Sequence, residues 1–373
     1  MEFIDLKEQY KRLKNEINTN IQKVLEHGKF IMGPEITELE KKLADYAGVK
    51  HAITCSNGTD ALLIPLMAWG IGSGDAVFTT PFTFFATAEV IKLLGATPVF
   101  VDIDENTYNI NPEALESAIL KTIKEGNLKP RAIIPVDIFG QPADYDKLEK
   151  ISKKYNLLML EDAAQSFGAV YNKKIAGSFG DAASTSFFPA KPLGCYGDGG
   201  AVFTNNDELV TVMKSIRVHG QGSDKYENVR LGINGRLDTI QAAVLLAKLE
   251  IFNEEINLRN KVAAKYTREL SGYVKTPCVK EGCISTWAQY SVLAKDSSQK
   301  AGVLNNLKKN NIPAAVYYPI PLHLQTVFKN LGYVKGQFPV SENVCERIFS
   351  LPMHPYLSDI DMNTIVDVIK KSV

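Results

Sequence analysis

Between residues 51 and 161 the sequence alternates short apolar, β-prone runs with helical patterns, and this alternation restricts the possible folds more than any other feature. The predicted strands cover residues 51–55, 76–80, 97–102, 131–136 and 157–161, and the predicted helices cover residues 59–69, 83–94 and 144–155. Strands that are apolar along their whole length are typical of a parallel sheet covered by helices on both faces. The sequence therefore predicts a large α/β domain with a mostly parallel sheet.

The segments on either side of this alternation extend the large domain and add a smaller one. Helical spacing predicts helices at residues 8–27, from Pro34 to Gly48, at 207–218 and along 237–270. From about residue 271 the pattern changes to a strand at 287–293, a helix at 299–310, a strand at 315–318 and a helix at 358–371. We expect a large domain over residues 1–250 and a smaller C-terminal α+β domain over residues 251–373.

Charge and cysteine content argue against several classes of protein. The 42 basic and 42 acidic side chains balance, so no overall field favours nucleic acid or an anionic membrane, and anionic ligands must be bound locally. The five cysteines are scattered without a CxxC pair, which argues against a disulfide framework and a structural metal site. The N-terminus is charged where a signal peptide is apolar, and no apolar run approaches the ~18 residues of a spanning helix. We expect a soluble, cytoplasmic protein without a metal ion.

The segment of residues 181–204 places a lysine in an unusual frame. An apolar run at residues 182–188 leads to Lys191, which stands between Pro189 and Pro192, and glycines follow at positions 194, 197, 199 and 200. The prolines restrict the backbone, and the glycines allow a tight turn and a close approach to a ligand. Lys191 is either a solvated loop lysine or a rigidly held amine of lowered pKa that forms a Schiff base. Other segments must decide between the two.

Two further segments follow predicted strands and carry groups that suit a phosphorylated cofactor. Residues 56–60, Ser-Asn-Gly-Thr-Asp, fit either a helix N-cap or a phosphate cradle of backbone N–H groups. Asp162 ends a strand where open α/β sheets bind ligands, and it fits either a loop acid or a partner for a ring nitrogen. Lys191 stands 29 residues further on. Together the three segments supply what pyridoxal 5′-phosphate (PLP) requires: a phosphate anchor, an acid for its pyridine nitrogen and an amine for its aldehyde.

Five motifs carry a resemblance to a known family. They are Asn-Gly-Thr-Asp-Ala-Leu, Thr-Phe-Phe-Ala-Thr-Ala-Glu, Glu-Asp-Ala-Ala-Gln-Ser-Phe-Gly, Ser-Phe-Phe-Pro-Ala-Lys-Pro-Leu-Gly and Gly-Asp-Gly-Gly-Ala. The chain resembles the nucleotide-sugar aminotransferases of the DegT group, with PLP fold type I, from residues 3–6 to residues 351–356. The resemblance implies a two-stage transamination. Glutamate first gives its amino group to the cofactor, which becomes pyridoxamine 5′-phosphate (PMP), and a keto sugar then takes the amino group.

The resemblance also implies the residues that would contact the cofactor ring. Lys191 would be the catalytic Schiff-base lysine, Asp162 would pair with the pyridinium nitrogen, and Gln165 would lie near the ring hydroxyl. Phe84 would stack on the ring, although its neighbours at positions 82 and 85 fit a core aromatic equally well. The resemblance thus implies a role for each of these motif residues.

The cofactor phosphate would be bound by residues of two subunits. Gly58, Thr59 and Ser186 would contact it from one chain, and Asn234 would reach it from the other, beside its motif neighbour Arg236. The polar loop at residues 219–235 is about 17 residues long, beyond the usual connection length, which favours a function for it. The resemblance therefore implies a homodimer with shared active sites.

Three further segments are Cys-Tyr-Gly-Asp-Gly-Gly-Ala, Tyr-Pro-Ile-Pro-Leu and Ser-Leu-Pro-Met-His-Pro-Tyr. They resemble the subgroup that acts on UDP-2-acetamido-2-deoxy-3-oxo-glucuronate for surface polysaccharide, such as lipopolysaccharide O-antigen. The carboxylate and diphosphate of that substrate require cations, and the candidates are Arg236, Arg230, His219 and His323. Tyr317 and Tyr318 are further candidate substrate contacts, because Tyr317-Tyr318-Pro319 stands where part of the subgroup has His-Tyr-Pro. The alternative substrate is a dTDP-linked 3-keto-6-deoxyhexose, which has no carboxylate.

Two other classes of function are weaker alternatives. A non-catalytic sensor with the same fold would be expected to lack the lysine that is present at position 191. A nicotinamide-dependent oxidoreductase would need Gly-x-Gly-x-x-Gly between its first strand and helix. The similar glycine run at residues 70–74 precedes a predicted strand and fits a turn.

Overall fold

The computed structural model describes residues 1–224 and 226–373. Its helices are α1 (Leu6–Arg12), α2 (Lys14–His27), α3 (Pro34–Ala47), α4 (Gly58–Ala68), α5 (Ala86–Leu93), α6 (Pro112–Glu125), α7 (Tyr145–Tyr155), α8 (Asp207–Ile216), α9 (Thr239–Leu249), α10 (Phe252–Leu270), α11 (Ser297–Lys309), α12 (Pro339–Arg347) and α13 (Asp359–Lys370). Its strands are β1 (His51–Cys55), β2 (Asp75–Thr79), β3 (Thr97–Phe100), β4 (Lys129–Ile133), β5 (Leu158–Asp162), β6 (Val170–Tyr171), β7 (Lys174–Ile175), β8 (Ala182–Ser186), β9 (Gly200–Thr204), β10 (Cys283–Ile284), β11 (Tyr290–Leu293) and β12 (Ile348–Leu351). Short 3₁₀ turns lie at Ile138–Gly140, Leu322–Leu324 and Thr326–Leu331.

Seven strands form the central sheet in the order β1-β9-β8-β5-β4-β2-β3. The pairs among β3, β2, β4, β5 and β8 are parallel, whereas β9 runs antiparallel to both β1 and β8. Parallel strands bring their carboxyl ends to one edge of a sheet, and ligands bind in the crevice beyond that edge. The predicted α/β fold with a mostly parallel sheet is confirmed.

Helices cover both faces of this sheet, because successive side chains of a strand point to opposite sides. Along β2, Val77 joins an apolar cluster with α4, α5 and α8, whereas Ala76 and Phe78 join a cluster with α6 and α7. At the other end of the sheet, Ala201 and Phe203 of β9 pack against α3 and α9. The continuous apolar strands of the sequence are therefore buried on both sides.

The C-terminal segments build a second core around the antiparallel pair β11–β12. Helices α11 and α13 and the second half of α10 pack on that pair. The predicted boundary after residue 250 lies between α9 and α10, but Phe252 and Ile256 in the first turns of α10 pack in the core of the large sheet. Helix α10 thus contacts both cores.

Several predicted elements differ from the structure. The tract at 8–27 is interrupted at Leu13, and that at 237–270 is interrupted between α9 and α10. The predicted strand at 315–318 is wrong, since Ala315 makes one isolated bridge to Ser350. The strand at 287–293 begins only at Tyr290, because Trp287 has a φ of 51°, outside the extended region. Helices α6 and α12 were not predicted.

Two global findings concern membranes and cysteines. Within residues 1–224 and 226–373, none of the helices combines the length and the apolar character needed to cross a membrane. All five cysteines are free. Three of them, Cys55, Cys195 and Cys345, are buried.

Candidate active site

A cavity of about 850 Å³ opens at the carboxyl edge of the sheet. Its floor comes from the turn between β1 and α4 and from the ends of β5 and β8. Residues 316–320 and Gln289 of the C-terminal part form a wall. The cavity contains the predicted site residues Gly58, Thr59, Phe84, Asp162, Gln165, Ser186, Lys191, Tyr317 and Tyr318.

The N-terminus of α4 presents unpaired backbone N–H groups to this cavity. Asn57 caps the helix, since its side chain accepts a hydrogen bond from the Asp60 N–H at 2.8 Å. In the described part of the chain, the N–H groups of Gly58 and Thr59 meet no protein acceptor. A Cβ at position 58 would lie 2.6 Å from the Ser186 Cβ, so glycine allows the Ser186 side chain to lie against the turn. The segment is an N-cap, and its free N–H groups are the ones that could hold an anion.

Asp162 is a buried carboxylate at the end of β5. Its Oδ2 accepts a hydrogen bond from the Thr87 hydroxyl at 2.8 Å, and its Oδ1 accepts one from the Ala164 N–H at 3.2 Å. Burial raises the pKa of Asp162, whereas these two hydrogen bonds and the charge of Lys191 oppose that rise. The carboxylate is thus held rigidly and within the electrostatic reach of Lys191.

Lys191 lies in the loop that joins β8 to β9, residues 187–199, which we call the Lys191 loop. Its N–H donates to the Phe188 carbonyl at 2.8 Å, which fixes the turn that carries the side chain. Burial lowers the pKa of the Lys191 amine, and the charge of Asp162 opposes that fall. A lysine with a lowered pKa is more readily available as a neutral nucleophile or base.

Gln165 connects the cavity floor to its wall. Its Oε1 accepts a hydrogen bond from the Phe139 N–H at 2.8 Å, and its Nε2 donates to the Tyr318 hydroxyl at 3.2 Å. The Phe84 ring is 57% exposed and lines the cavity, with its centroid 6.4 Å from that of Tyr318. Phe82, by contrast, is fully buried. The structure therefore shows that Phe84 faces the cavity and that Phe82 is a core residue, a distinction that the sequence alone did not give.

The predicted residues of the long loop lie outside the cavity of their own chain. Asn234 and Arg230 are exposed, as is His219. Arg236 is partly buried, and its Nε is a buried donor without an acceptor in the described residues. These side chains are not among those that line the cavity.

The structure contradicts the predicted substrate contact of His323. The side chain is buried, and its Nε2 lies 3.1 Å from Glu342 Oε1. The ring packs on Phe338 with a centroid separation of 4.6 Å. Burial lowers the pKa of His323, although Glu342 opposes that fall. His323 therefore serves the packing behind the cavity wall.

The charge of the cavity is unbalanced. Among the described residues that line it, Lys191 is the one basic side chain. Three carboxylates, those of Asp60, Asp162 and Asp198, face the same space. A substrate with several negative charges needs more cations than this chain alone provides.

The polar cavity residues that sequence reasoning missed include Thr87, Asp198 and Gln289. Thr87 had a detectable signal, because it follows Thr83 by four residues in a helical pattern, and the two hydroxyl oxygens lie 3.1 Å apart. Gln289 had none, since its place depends on how the C-terminal part packs against the sheet. Its Oε1 is buried without a hydrogen-bond partner in the described residues.

Comparisons with known proteins agree with this geometry. The model of the DegT/DnrJ/EryC1/StrS aminotransferase family matches residues 11–370. The UDP-2-acetamido-2-deoxy-3-oxo-D-glucuronate aminotransferase of Pseudomonas aeruginosa is 50% identical over 366 residues, which cover 98% of each chain. A crystal structure of a DegT DnrJ EryC1 StrS aminotransferase from Brucella abortus is 52% identical with a TM-score of 0.97, over 100% of this chain and 99% of that one. The structure of NtdA from Bacillus subtilis with bound cofactor PMP is 27% identical with a TM-score of 0.89, over 99% of this chain and 83% of that one.

Proposed function

Because the chain belongs to the DegT/DnrJ/EryC1/StrS aminotransferase family, we propose that it moves an amino group from glutamate to the keto carbon of a nucleotide-linked sugar. Its cofactor is PLP, with PMP as the aminated form. One observation carries the proposal: a single cavity holds free helix N–H groups, a buried carboxylate and an amine of lowered pKa. These are the groups that PLP needs for its phosphate, its pyridine nitrogen and its aldehyde.

The donor and acceptor groups of the cavity fit this cofactor. The N–H groups of Gly58 and Thr59 and the hydroxyl of Ser186 would hold the phosphate at the N-terminus of α4, where the helix dipole favours an anion. The Phe84 ring would cover one face of the pyridine, and Gln165 would approach the ring hydroxyl. When bound, PLP withdraws electrons from the substrate carbon that carries nitrogen, which makes a proton on that carbon acidic.

Lys191 would move that proton. Because burial lowers the pKa of this amine, its neutral form is more readily available, and the neutral Nζ can take a proton from the substrate carbon and return it. Backbone hydrogen bonds within the Lys191 loop hold the turn that carries this amine. Lys191 therefore acts as nucleophile, base and acid in turn.

Asp162 would keep the pyridine nitrogen protonated. Burial raises the pKa of this carboxyl, but the Thr87 hydroxyl and the Ala164 N–H stabilise its charged form. An anionic Asp162 beside the ring nitrogen favours a proton on that nitrogen. The hydrogen bond from Thr87 thus supports the chemistry through Asp162.

The shortage of cations in the cavity supports a homodimer with shared sites. The phosphate of the cofactor, the diphosphate of the sugar nucleotide and the carboxylate of glutamate all carry negative charge, whereas one chain lines the cavity with Lys191 alone. Asn234, Arg236 and Arg230 lie on the exposed loop that a second copy could insert. Exposed apolar side chains, with Leu231 89% and Ile31 47% exposed, support the same contact.

For the acceptor we propose C3 of UDP-2-acetamido-2-deoxy-3-oxo-glucuronate, in the synthesis of a surface polysaccharide. The Pseudomonas aeruginosa relative named for this substrate is 50% identical over nearly the whole chain, which supports the assignment. Tyr317 and Tyr318 line the cavity where the sugar would lie. The second candidate is a dTDP-linked 3-keto-6-deoxyhexose, and a cytoplasmic enzyme suits either nucleotide sugar.

A half-reaction assay tests the proposal. The purified protein with PLP receives glutamate, and absorbance should report conversion of the cofactor to PMP. Excess glutamate is then removed, and matched keto sugars are added singly: the UDP-linked 3-oxo-glucuronate, its UDP-linked counterpart with a hydroxymethyl group in place of the carboxylate, and a dTDP-linked 3-keto-6-deoxyhexose. We expect the first to restore the starting spectrum fastest and to gain one amino group by mass.

Each outcome of this assay has a distinct meaning. Faster conversion of the dTDP sugar would replace the proposed acceptor but keep the aminotransferase. Equal rates with the two UDP sugars would contradict recognition of the carboxylate. A protein whose bound PLP does not respond to glutamate would contradict the proposed amino donor.

A further inference from the structure

A second buried lysine lies directly behind the Lys191 loop and has no part in the chemistry described above. Lys248 is on α9 and is 1% exposed. Its Nζ donates a hydrogen bond to the Gly194 carbonyl at 2.6 Å and lies 4.2 Å from the centroid of the Tyr196 ring. Gly194 and Tyr196 are three and five residues after Lys191. Lys248 therefore contacts the same short loop that carries the candidate catalytic amine.

Backbone hydrogen bonds connect the beginning of the Lys191 loop to its second half, so the two parts of the loop move together. The Cys195 N–H donates to the Phe187 carbonyl at 2.8 Å, and the Lys191 N–H donates to the Phe188 carbonyl at 2.8 Å. A Cβ on Gly194 would lie 2.5 Å from the Pro189 carbonyl oxygen, which leaves no space for a side chain there. Because the segments of the loop before and after Lys191 are in contact, a shift of Gly194 displaces the turn at Lys191.

Helix α9 holds this loop at a second point. The Gln241 side chain accepts a hydrogen bond from the Tyr196 N–H at 2.8 Å and donates one to the Tyr196 carbonyl at 3.3 Å. Lys248 binds two turns further along the same helix. The backbone of the Lys191 loop is thus hydrogen-bonded to α9 at two points. The Lys248 ammonium makes the more deeply buried of the two contacts.

The Lys248 ammonium is costly to keep in this place. No carboxylate of the described residues lies within salt-bridge distance of it. Burial lowers the pKa of Lys248 to about 8, although the charge of Glu255 opposes that fall. A buried charge without an ion-pair partner reduces the stability of the fold, so stability alone does not explain its presence. The hydrogen bond from the charged Lys248 ammonium to the Gly194 carbonyl is, however, stronger than one from a neutral donor.

We propose that Lys248 is a positioning residue for the reaction: it holds the Gly194 carbonyl from behind and thereby aims the Lys191 amine into the cavity. This inference rests on the proposed role of Lys191. The requirement is geometric, because a displacement of about 1 Å in a reacting group can cost about 10²-fold in rate.

The test compares Lys248→Met with Lys300→Met. Lys300 is a matched control, since burial also lowers its pKa and its ammonium donates to the backbone carbonyls of Cys345 and Glu346 at 3.1 and 3.2 Å, away from the cavity. PLP is removed from each purified protein and added back, and borohydride then traps the cofactor bound to lysine at timed intervals. Peptide mass mapping measures the fraction attached at Lys191, beside kcat, KM and thermal unfolding.

We expect Lys248→Met to attach PLP at Lys191 about ten- to a hundredfold more slowly and to lose kcat with little change in KM. Lys300→Met should attach PLP within about twofold of the wild-type rate even where it loses similar thermal stability. Gln241→Leu, at the less buried attachment, should slow the reaction in the same direction by a smaller factor. If Lys248→Met does not fold, Gln241→Leu becomes the variant that tests the positioning role.

Two results would overturn the proposal. One is wild-type attachment and wild-type kcat in folded Lys248→Met, or in Gln241→Leu if the first variant is unfolded. The other is an equal loss in Lys300→Met, which would reduce the effect to general stability. Lys191→Ala separates this from the underlying assignment: if trapped PLP is still found elsewhere on the chain with activity retained, the role of Lys191 itself is wrong.

Discussion

A single chain supplies most of the predicted residues at one end of the proposed site and few at the other. At the cofactor end, Asp162 stands at the end of β5 and Gln165 lies in the turn that follows, and both side chains are buried and hydrogen-bonded. At the other end, the loop of residues 219–236, which the structure describes apart from residue 225, carries the predicted residues that lie outside the cavity of their own chain, and Arg236 among them is partly buried. Asn234 and Arg230 there are exposed and do not reach the cavity of their own chain.

The difference indicates where a second copy would complete the proposed site. The cofactor end supplies helix N–H groups, a carboxylate and an amine for PLP, and the predicted contact of Asn234 with the phosphate would come from the second copy. The substrate end has to accept more negative charge than Lys191 can balance. We therefore expect substitutions at the cofactor end to act on turnover, and substitutions of Arg230 and Arg236 on the loop to act on substrate binding.

The largest effect that we expect is that of Lys191→Ala at the cofactor end. The variant should retain PLP through its phosphate but lose the covalent link and about 10⁴-fold in kcat, because it removes the acid and base together. Absorbance of the purified variant and a steady-state assay measure this. An active Lys191→Ala enzyme would contradict the account of this end of the site.

Asp162→Asn should have the next largest effect. The amide has the same size, and its oxygen can still accept the Thr87 hydrogen bond, although its NH2 group then faces the Ala164 N–H. It has no charge to keep the pyridine nitrogen protonated. We expect kcat to fall by about 10²-fold with KM nearly unchanged. A rise in KM at constant kcat would show that Asp162 acts in substrate binding and would remove this distinction between the two ends.

Arg236→Met tests the substrate end. Loss of a charge-assisted hydrogen bond to an anionic substrate should raise KM for the nucleotide sugar about tenfold, whereas the glutamate half-reaction should change less. Arg230→Met is the comparison on the same loop. An unchanged KM in both variants would mean that the loop does not contact the nucleotide sugar.

Thr87→Val should have the smallest effect and a distinct pH signature. The Thr87 hydroxyl stabilises the charged form of Asp162, so its removal raises the pKa of that carboxyl. Activity requires the anion and is lost as the pH falls through this pKa, so the acid limb of the kcat profile should move to higher pH. The loss of kcat at neutral pH should be about tenfold or less.

Thr79→Val is the control for this shift. Thr79 is also buried and donates to a backbone carbonyl, that of Ile134 at 2.9 Å, but it does not line the cavity. Its pH profile should match that of the wild type. A shift of equal size in both variants would show that the acid limb reports unfolding and not Asp162.

The cofactor end was predictable from sequence because local rules place its residues. Asp162 ends an apolar strand, Gly58 begins a helix after a capping asparagine, and Lys191 stands in a proline and glycine frame. Each signal lies within a few residues of the group that it positions. The parallel sheet then brings these separate segments to one edge.

The rest depends on contacts that sequence spacing does not reveal. His323 looked like a free cation, but Phe338 and Glu342, which bury it, come 15 and 19 residues later in a different element. The apolar run at 315–318 resembles a strand. Within the described residues, however, it pairs with a strand only through one isolated bridge, from Ala315 to Ser350. Gln289 reaches the cavity through the packing of the C-terminal part on the large sheet.

The most direct test of the shared site mixes two inactive variants, Lys191→Ala and Asn234→Ala, after each alone has proved inactive. Random exchange of subunits should give heterodimers with one intact site, which combines Lys191 of one chain with Asn234 of the other. The account predicts recovery of about a quarter of the wild-type activity. No recovery in a mixture whose heterodimers are demonstrated by mass spectrometry would contradict the claim that two subunits complete each site.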